Sequence, residues 1–260
     1  MKTSWAGRVV PPVAALVLVL GLWEGLTRGL GLAPWLLPPP SAIAAVGLRE
    51  LPTLWSATLV TGTAALLGFA LSAVVGVLIA ILLGSSRLLE RALYPYTLVL
   101  QTVPIVAIAP LLVLWFGPGL RAVAVSSFIV SLFPVITNTL TGLRSVEPAL
   151  RDLFRLYGAR RLARLWKLEL PAALPQLFTG LKVASGLAVI GAIVGEFVAG
   201  FSEDAAGLGI LVLTAYRHLR TDLLFAAVLA ASGLGLGLFG AVSLSGWRLL
   251  RRWHPSASGG

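Results

Sequence analysis

Apolar residues run through this chain in six long stretches, and short polar or proline-rich segments separate them. A membrane-spanning helix needs about 20 mostly apolar residues, because the hydrocarbon core of a bilayer is about 30 Å thick. The stretches predict spans at about 9–29, 54–83, 93–116, 122–142, 172–201 and 223–244. We therefore predict an all-α polytopic membrane protein, with residues 1–260 forming one transmembrane domain.

Prolines and polar residues mark the predicted connections. Residues 30–52 carry five prolines and are predicted to form a loop, as are the polar residues 85–91 and 202–222. Three prolines in the third span predict a kinked or broken helix, which in transporters tends to line a cavity. A frayed tail is predicted at 254–260.

The basic start of the chain allows two interpretations. Lys2 and Arg8 precede an apolar run, as in a signal peptide. However, the run reaches about 20 residues when extended to Gly29, and no A-x-A cleavage site follows. We interpret the run as a retained first span.

Two spans have an unusual composition: small residues in one would allow close helix packing, or could simply reflect genome composition, and polar residues recur in the other. The second span carries Gly62, Gly68 and Gly76, which would let neighbouring helices approach closely. The fourth span carries a stripe of hydroxyl and amide side chains, which is unusual for a helix that faces lipid.

Composition agrees with a membrane protein. Hydrophobic residues make up 58% of the chain and charged residues 12%, whereas a soluble domain averages about 25% charged residues. The chain has no Cys, and its two His residues lie far apart, so disulfides, thiol catalysis and Cys- or His-based metal motifs are excluded. The net charge of +10 is explained by membrane orientation, and no nucleic-acid partner is expected.

One charged segment, residues 144–171, interrupts the apolar pattern. Seven of the twenty Lys and Arg residues lie between its ends. Leu150, Leu153, Phe154 and Tyr157 have the spacing of one helical face. The pattern predicts two short amphipathic helices that meet at Gly158, the second ending at 170–171. Such a hairpin could lie on anionic lipid headgroups or dock into a groove of a soluble partner, and the residues alone favour neither.

The distribution of basic residues predicts the orientation. Six spans put both termini on one side of the membrane. That side would hold fourteen Lys and Arg residues, including those of the charged segment, and the opposite side five. Because cytoplasmic loops retain basic residues, we predict that the termini and the charged segment are cytoplasmic.

Four polar residues within the spans are candidates for a solute pathway: Gln101, Thr102, Asn138 and Glu196. An ionisable residue inside a span is a functional hypothesis by default. The alternative for Glu196 is a structural bond, for example to an Arg of another helix. Asn138 could equally bond across helices, and Lys182 could extend towards the interface.

The charged segment resembles the EAA loop of ABC importer permeases. Asp152, Leu153 and Phe154 stand at the Glu-Ala-Ala position, where Asp keeps the charge and Leu and Phe are bulkier than Ala, and Gly158 stands at the glycine. Further resemblance lies in LPPPSAI at 37–43, QTVPIVAIAPLLVLWFG at 101–117, GLRSVEP at 142–148 and GAIVGEFV at 191–198. These segments are similar to the branch of nitrate, sulfonate, taurine and bicarbonate permeases.

The resemblance implies the type I importer fold and an ATPase-coupling role for one set of residues. That set is Asp152, Leu153, Phe154, Tyr157, Gly158, Ala159, Leu168, Leu170 and Pro171. It also implies cytoplasmic ABC ATPase subunits, a second permease copy (a homodimer favoured over a heterodimer), a periplasmic or lipid-anchored binding protein and a bacterial inner membrane. The solute would be a small anion such as a sulfonate, taurine, nitrate or bicarbonate, or alternatively a thiamine-precursor pyrimidine or riboflavin.

The chain lacks the G-x-x-x-x-G-K-S/T motif that holds nucleotide phosphates. ATP and Mg are therefore expected on the partner ATPase, and no cofactor is expected on this chain. A stand-alone secondary transporter is the alternative class. An intramembrane enzyme is disfavoured, because no nucleophile–base or metal pattern is visible.

Overall fold

The computed structural model describes residues 5–199 and 206–251, and all regular secondary structure in those ranges is helical. The helices are α1 (Trp5–Gly29), α2 (Pro40–Arg49), α3 (Leu51–Ser85), α4 (Arg87–Thr102), α5 (Ile105–Phe116), α6 (Leu120–Arg144), α7 (Pro148–Leu156), α8 (Arg161–Arg164), α9 (Leu170–Ala199), α10 (Leu208–Arg217) and α11 (Thr221–Leu250), with a π-helical turn (Leu165–Glu169) before α9. The predicted basic start at Lys2, the last residues of the predicted fifth span, the start of the loop after it and the predicted tail lie outside the described residues.

Five stretches of the described chain are long and apolar enough to cross a membrane. They are Val9–Gly29, Leu51–Ser85, Leu120–Arg144, Arg161–Ala199 and Thr221–Leu250. Helices α4 and α5 make a sixth if they are counted as one bent span. The predicted fold class, an all-helical polytopic membrane protein, is therefore confirmed.

The predicted third span is broken at one of its three prolines. Helices α4 and α5 meet at an angle of 97°, and the junction is Val103–Pro104. A residue before proline is pushed out of the helical region, and Val103 is extended with ψ 120°. Pro95 and Pro110 lie inside helices. The predicted polar loop at 85–91 was wrong, because a new helix starts at Arg87.

Ser86 explains that early start. Its hydroxyl oxygen accepts a hydrogen bond from the Leu88 N–H over 3.2 Å, which caps α4. Glu90 lies in the first helical turn, where an acidic side chain is favourable. These local interactions stabilise the start of a helix at Arg87, although the segment is polar.

Two predicted loops each contain a short helix. Helix α2 lies within the predicted loop at 30–52, and α10 lies within the one at 202–222. Pro40 is the first residue of α2, a position where proline's fixed φ is favourable and its missing N–H is not needed. A proline that was predicted to prevent a continuous helix in residues 30–52 therefore starts a short one.

The charged segment passes into α9 without a break. The second helix and the fifth span were predicted to meet at 170–171, and α9 does begin at Leu170, but no loop separates the two. The Leu170 N–H bonds to the Leu165 carbonyl, five residues earlier, in the π-helical turn. A wider turn gives room for the ring of Pro171, which would otherwise clash with the preceding turn of an α-helix.

Contacts between helix ends define two opposite ends of the bundle. At one end, Glu90 at the start of α4 forms an ion pair with Arg144 at the end of α6. At the other, the Gly119 N–H before α6 donates to the Ala199 carbonyl over 3.1 Å. The charged segment follows α6 directly, so it lies at the same end as the start of α4.

The core is built from close contacts of α6 with α3 and α9. The Ser126 hydroxyl donates to the Gly191 carbonyl over 2.7 Å. A Cβ atom on Gly191 would lie only 2.8 Å from Ser127 Cα, and one on Gly76 only 2.8 Å from Val135 Cγ1. The predicted close approach through small residues of the second span is confirmed at Gly76, where only the absence of a side chain allows the contact.

We expect Gly191→Ala to lower thermal stability, because its methyl group would meet the backbone of α6. Overpacking of this kind costs about 1–3 kcal/mol. Gly186 on the same helix has nothing within 4 Å of its Cβ position. Gly186→Ala should therefore leave stability unchanged or raise it slightly, since alanine favours helix. Thermal unfolding of the purified variants in detergent compares them, and equal melting temperatures would contradict the tight contact.

Candidate functional site

The charged segment folds into two helical arms that meet at Gly158. Pro148 starts α7, a favourable first position. The arm ends where the Gly158 N–H donates to the Arg155 carbonyl over 2.9 Å. Gly158 has φ +66°, in the left-handed region that glycine adopts at little cost. The structure thus places the bend at the residue that the sequence indicates.

Helix α7 exposes an apolar row, and none of its residues is buried. We use the term apolar row for Leu150, Leu153, Leu156 and Tyr157, whose exposed fractions are 43%, 45%, 85% and 83%. The predicted face had Phe154 in place of Leu156, and Phe154 is half-buried. Leu156 follows Leu153 by three residues. Residues at this spacing are neighbours on a helix surface, so the sequence could have identified Leu156.

The remaining predicted coupling residues are divided between the two arms. Asp152 is exposed and lies 3.2 Å from the Arg155 guanidinium. The Ala159 N–H donates to the Phe154 carbonyl over 2.9 Å and closes the turn. Half-buried positions on the π-helical turn and the start of α9 are occupied by Leu168, Leu170 and Pro171.

Charged contacts fasten the first arm to α6 and to the second arm. The Arg151 guanidinium donates to the Leu143 carbonyl at the end of α6 over 2.7 Å. Glu169 accepts a hydrogen bond from Arg164 over 3.0 Å, and Arg151 Nε lies 3.9 Å from the same carboxylate oxygen. The sequence reasoning missed Glu169, although it is the only carboxylate between Arg155 and Pro171.

Glu196 lies near the far end of α9 and is only 4% exposed. The Thr61 hydroxyl of α3 donates to its Oε1 over 2.7 Å, and the Gly209 N–H donates to its Oε2 over 2.6 Å. The Leu208 N–H donates to Thr61 Oγ1 over 2.8 Å. These four residues, the Glu196 cluster, join α3, α9 and α10.

The cluster caps the start of α10. The first N–H groups of a helix have no partner within it, and an unsatisfied N–H in a membrane costs several kcal/mol. Glu196 and Thr61 accept from two of these N–H groups. A Cβ on Gly209 would lie 2.9 Å from Glu196 Cβ, so glycine allows the close approach. The described partners of the Glu196 carboxylate are a hydroxyl and an N–H. The sequence had suggested an Arg of another helix as one example of a structural partner.

The other pathway candidates lie apart from this cluster. Gln101 and Thr102 are exposed at the end of α4, beside the break, and the Thr102 hydroxyl donates to the Val99 carbonyl over 2.9 Å. Asn138 is half-buried on α6, and its Nδ2 donates to the Pro134 carbonyl over 2.9 Å. The structure therefore brings Glu196 together with Thr61 and Gly209, which the sequence did not single out, and not with Asn138 or Gln101 through any hydrogen bond between described residues.

We expect Thr61→Val to loosen α10, because the Leu208 N–H loses its acceptor and Glu196 loses a donor. A hydrogen bond between membrane helices contributes about 1 kcal/mol, so amide hydrogen exchange in residues 208–217 should accelerate roughly fivefold. Thr63→Val is the matched control, since the exposed Thr63 hydroxyl donates to the Leu59 carbonyl of its own helix over 2.7 Å and to no other described residue. Equal protection in both variants would contradict a capping role.

Known proteins match this chain, several of them over nearly its whole length. A "Probable ABC transporter permease protein" of Haemophilus influenzae is 37% identical over 245 residues, which are 94% of this chain and 97% of the relative. The "Riboflavin transport system permease protein RibX" of Chloroflexus aurantiacus is 36% identical over 257 residues, 98% and 93% of the two chains. Further relatives, 28% to 33% identical, are named as permeases for formylaminopyrimidine, aliphatic sulfonates, taurine and nitrate.

The fold also matches a solved transporter. A chain from an inward-facing structure of the MetNI methionine ABC transporter aligns with a TM-score of 0.56 and 19% identity, over 78% of this chain and 94% of that chain. At this identity the match shows a shared fold. Residues 72–251 match the family "Binding-protein-dependent transport system inner membrane component". This chain therefore belongs to that family and is the multi-pass inner-membrane permease component of an ABC transporter, not itself a catalytic subunit.

Proposed function

We propose that this permease forms half of an import pathway and receives mechanical work through α7. Membership of a binding-protein-dependent family implies partner ATPase subunits and a binding protein, and it sets aside a stand-alone secondary transporter and an intramembrane enzyme. We assign the docking of the ATPase to the two arms of the charged segment. ATP and Mg then belong to the ATPase, and a second copy of this permease completes the pathway.

The observation that carries the docking proposal is the apolar row. A helix of nine residues with no buried side chain gains little from its own bundle. Tyr157 and Leu156 are more than 80% exposed beside the bend. An amphipathic helix of this kind stabilises a complex by placing its apolar face in a groove of a partner. The anchors at Arg151 and Glu169 hold the arm so that movement of the partner is passed to α6 and α9.

The proposed orientation puts this end of the bundle in the cytoplasm, together with both termini. Arg87 and Arg91 at the start of α4 line the same cavity as Arg151 and Arg155 of the charged segment. The bundle therefore concentrates basic residues from separate parts of the sequence at one end. This concentration supports a cytoplasmic location, because basic residues are retained on that side of the membrane.

We propose Gln101 and Thr102 as residues of the solute pathway, because they are exposed at a break between two helices. Irregular backbone at membrane depth is stable where it lines a water-filled cavity or lies within protein. For Asn138 and Glu196 we propose a positioning role, since the bonds of both side chains are made within the protein.

The solute class has two candidates. The sequence resemblance favours a small anion such as a sulfonate, taurine, nitrate or bicarbonate. Relatives named for riboflavin and formylaminopyrimidine are 36% and 33% identical, above those named for sulfonates and taurine at 28% to 31%. These higher sequence identities support a heteroaromatic solute, which is the second candidate. Stimulation of ATP hydrolysis in the reconstituted complex by the cognate binding protein, loaded with each solute in turn, distinguishes the two.

We expect Gly158→Val to abolish coupling to the ATPase while membrane insertion stays intact. A β-branched residue is strained at φ +66°, which costs about 1–2 kcal/mol and tilts α7. Copurification of the ATPase and solute-stimulated ATP hydrolysis measure the effect. Gly31→Val is the matched control, because Gly31 has φ +61° and equally open surroundings in the turn after α1. Normal copurification with Gly158→Val would instead favour a role for the arms on the lipid surface.

We expect Gln101→Ala to reduce transport roughly fivefold, the loss of about one hydrogen bond to solute, without affecting assembly with the ATPase. Glu196→Gln should lower transport and the stability of the complex together, as a positioning role requires. Vesicle uptake and copurification are measured on the same preparations. Unchanged uptake by Gln101→Ala would contradict its place in the pathway, and loss of uptake alone in Glu196→Gln would assign Glu196 to the solute.

A further inference from the structure

A cavity of about 870 Å³ opens at the end of the bundle that carries the charged segment. Its size lies within the range of about 300–1,000 Å³ that is usual for ligand sites. Five helices contribute to its lining, so it is formed by the tertiary fold. Its charged lining residues are Arg87, Glu90, Arg91, Arg144, Arg151, Arg155, Arg161, Arg164 and Glu169.

The positive charge of this cavity exceeds the negative charge of the described residues around it, even when Asp152, which pairs with Arg155 from outside the lining, is counted. Seven guanidinium groups face two carboxylates, and those carboxylates already pair with Arg144 and with Arg164. No described carboxylate lies within salt-bridge distance of Arg87, Arg91 or Arg161. The several arginines repel one another, so an anion placed among them is bound favourably.

Arg151 points to the same conclusion. Its terminal nitrogen is bonded to the Leu143 carbonyl. Its buried Nε lies 3.9 Å from a Glu169 carboxylate oxygen that Arg164 also uses, which is too far for a hydrogen bond, and it has no hydrogen-bond partner among the described residues. A buried donor without a partner costs free energy, more so when the group is charged. An acceptor in the cavity would relieve that cost.

The walls of the cavity are apolar where they meet the membrane-spanning helices. Ile81, Tyr94 and Leu165 line it beside the arginines. Leu82 on α3 and Leu88 on α4 do not line the cavity but are 50% and 76% exposed on the same two helices. The arrangement therefore offers a charged recess at the ends of membrane-spanning helices that also carry exposed apolar side chains.

We propose that this cavity binds the phosphate of an anionic phospholipid, with the acyl chains lying on the exposed faces of α3 and α4. Guanidinium groups recognise phosphate oxygens through paired hydrogen bonds, and basic pockets between membrane helices suit anionic headgroups. A free phosphate shares the headgroup chemistry but would not use the apolar surface. The assignment of this leaflet to the cytoplasm rests on the proposed orientation, whereas binding of the lipid does not.

The site would connect lipid composition to the position of α7. Arg151 and Arg155 belong to α7, and Arg161 and Arg164 to the second arm. A phosphate held between these residues and Arg87 on α4 would draw both arms against the bundle. The proposal thus adds a lipid-dependent constraint on the segment to which we assign ATPase docking.

Native mass spectrometry of the full-length permease, purified with its ATPase, tests the proposal. Phosphatidylglycerol and phosphatidylcholine are titrated against wild type, Arg87→Gln/Arg91→Gln, and a matched control, Arg248→Gln/Arg251→Gln. The control removes two exposed arginines of α11 and its C-terminal end that do not line the cavity. We expect selective retention of phosphatidylglycerol by wild type and control, and a roughly 10- to 30-fold weaker retention by the cavity variant, since each surface charge contributes a factor of about five.

Further measurements separate the other occupants. Arg87→Lys/Arg91→Lys keeps the charge but loses the paired hydrogen bonds, so it should recover part of the lost retention. Such partial recovery would show that the Gln variant is not merely misfolded. Equal retention by the cavity variant and the control would overturn the proposal. Binding of inorganic phosphate with displacement of the lipid would make a soluble anion the occupant. Loss of ATPase copurification with unchanged lipid retention would show that the cavity receives the ATPase, and it too would overturn the lipid assignment.

Discussion

Backbone-to-backbone packing of α6 against α9 and α3 is the contact on which the rest of this bundle depends. Within lipid the hydrophobic effect does not drive helices together, so close van der Waals packing and interhelical hydrogen bonds must do so. Gly191 and Gly76 allow that approach, and the Ser126 hydroxyl bonds across it to a carbonyl of α9. Because α6 leads into the charged segment and α9 leads out of it, this packing also fixes where the two arms begin.

Polar side chains within the bundle are used mainly to satisfy the protein's own backbone. On α6, Ser126 and Ser131 are fully buried and donate to main-chain carbonyls. Glu196 accepts an N–H at the start of α10, and Thr61 accepts the one before it. A polar stripe in a membrane helix can thus indicate a tight interface instead of a solute path. The break after α4 differs from this stripe, because the polar side chain of Gln101 beside it is exposed.

The sequence predicted the elements that local patterns control, and it failed where distant residues decide. Long apolar runs were enough to identify the spans, and Gly158 with its flanking apolar residues was enough to locate the bend. Short helices were missed, because proline and glycine in residues 30–52 and 202–222 indicate loops equally well. The partners of Glu196 could not have been predicted, since Thr61 lies 135 residues away. The sequence predicted a kink or break at one of three prolines but did not indicate Pro104. Which proline breaks the helix depends on the neighbouring helices that each segment packs against.

The second arm and α9 form one continuous helix, which can transmit movement along its length. Arg161–Ala199 is helical over 39 residues, which at 1.5 Å per residue is about 58 Å, longer than the membrane is thick. Near its charged end it contains the π-helical turn, a natural point for bending, and Pro175 follows within α9. A push on the second arm is therefore carried along one rod to the carboxylate that caps α10. The two faces of the membrane are mechanically linked by a single helix, with no loop between them to absorb the movement.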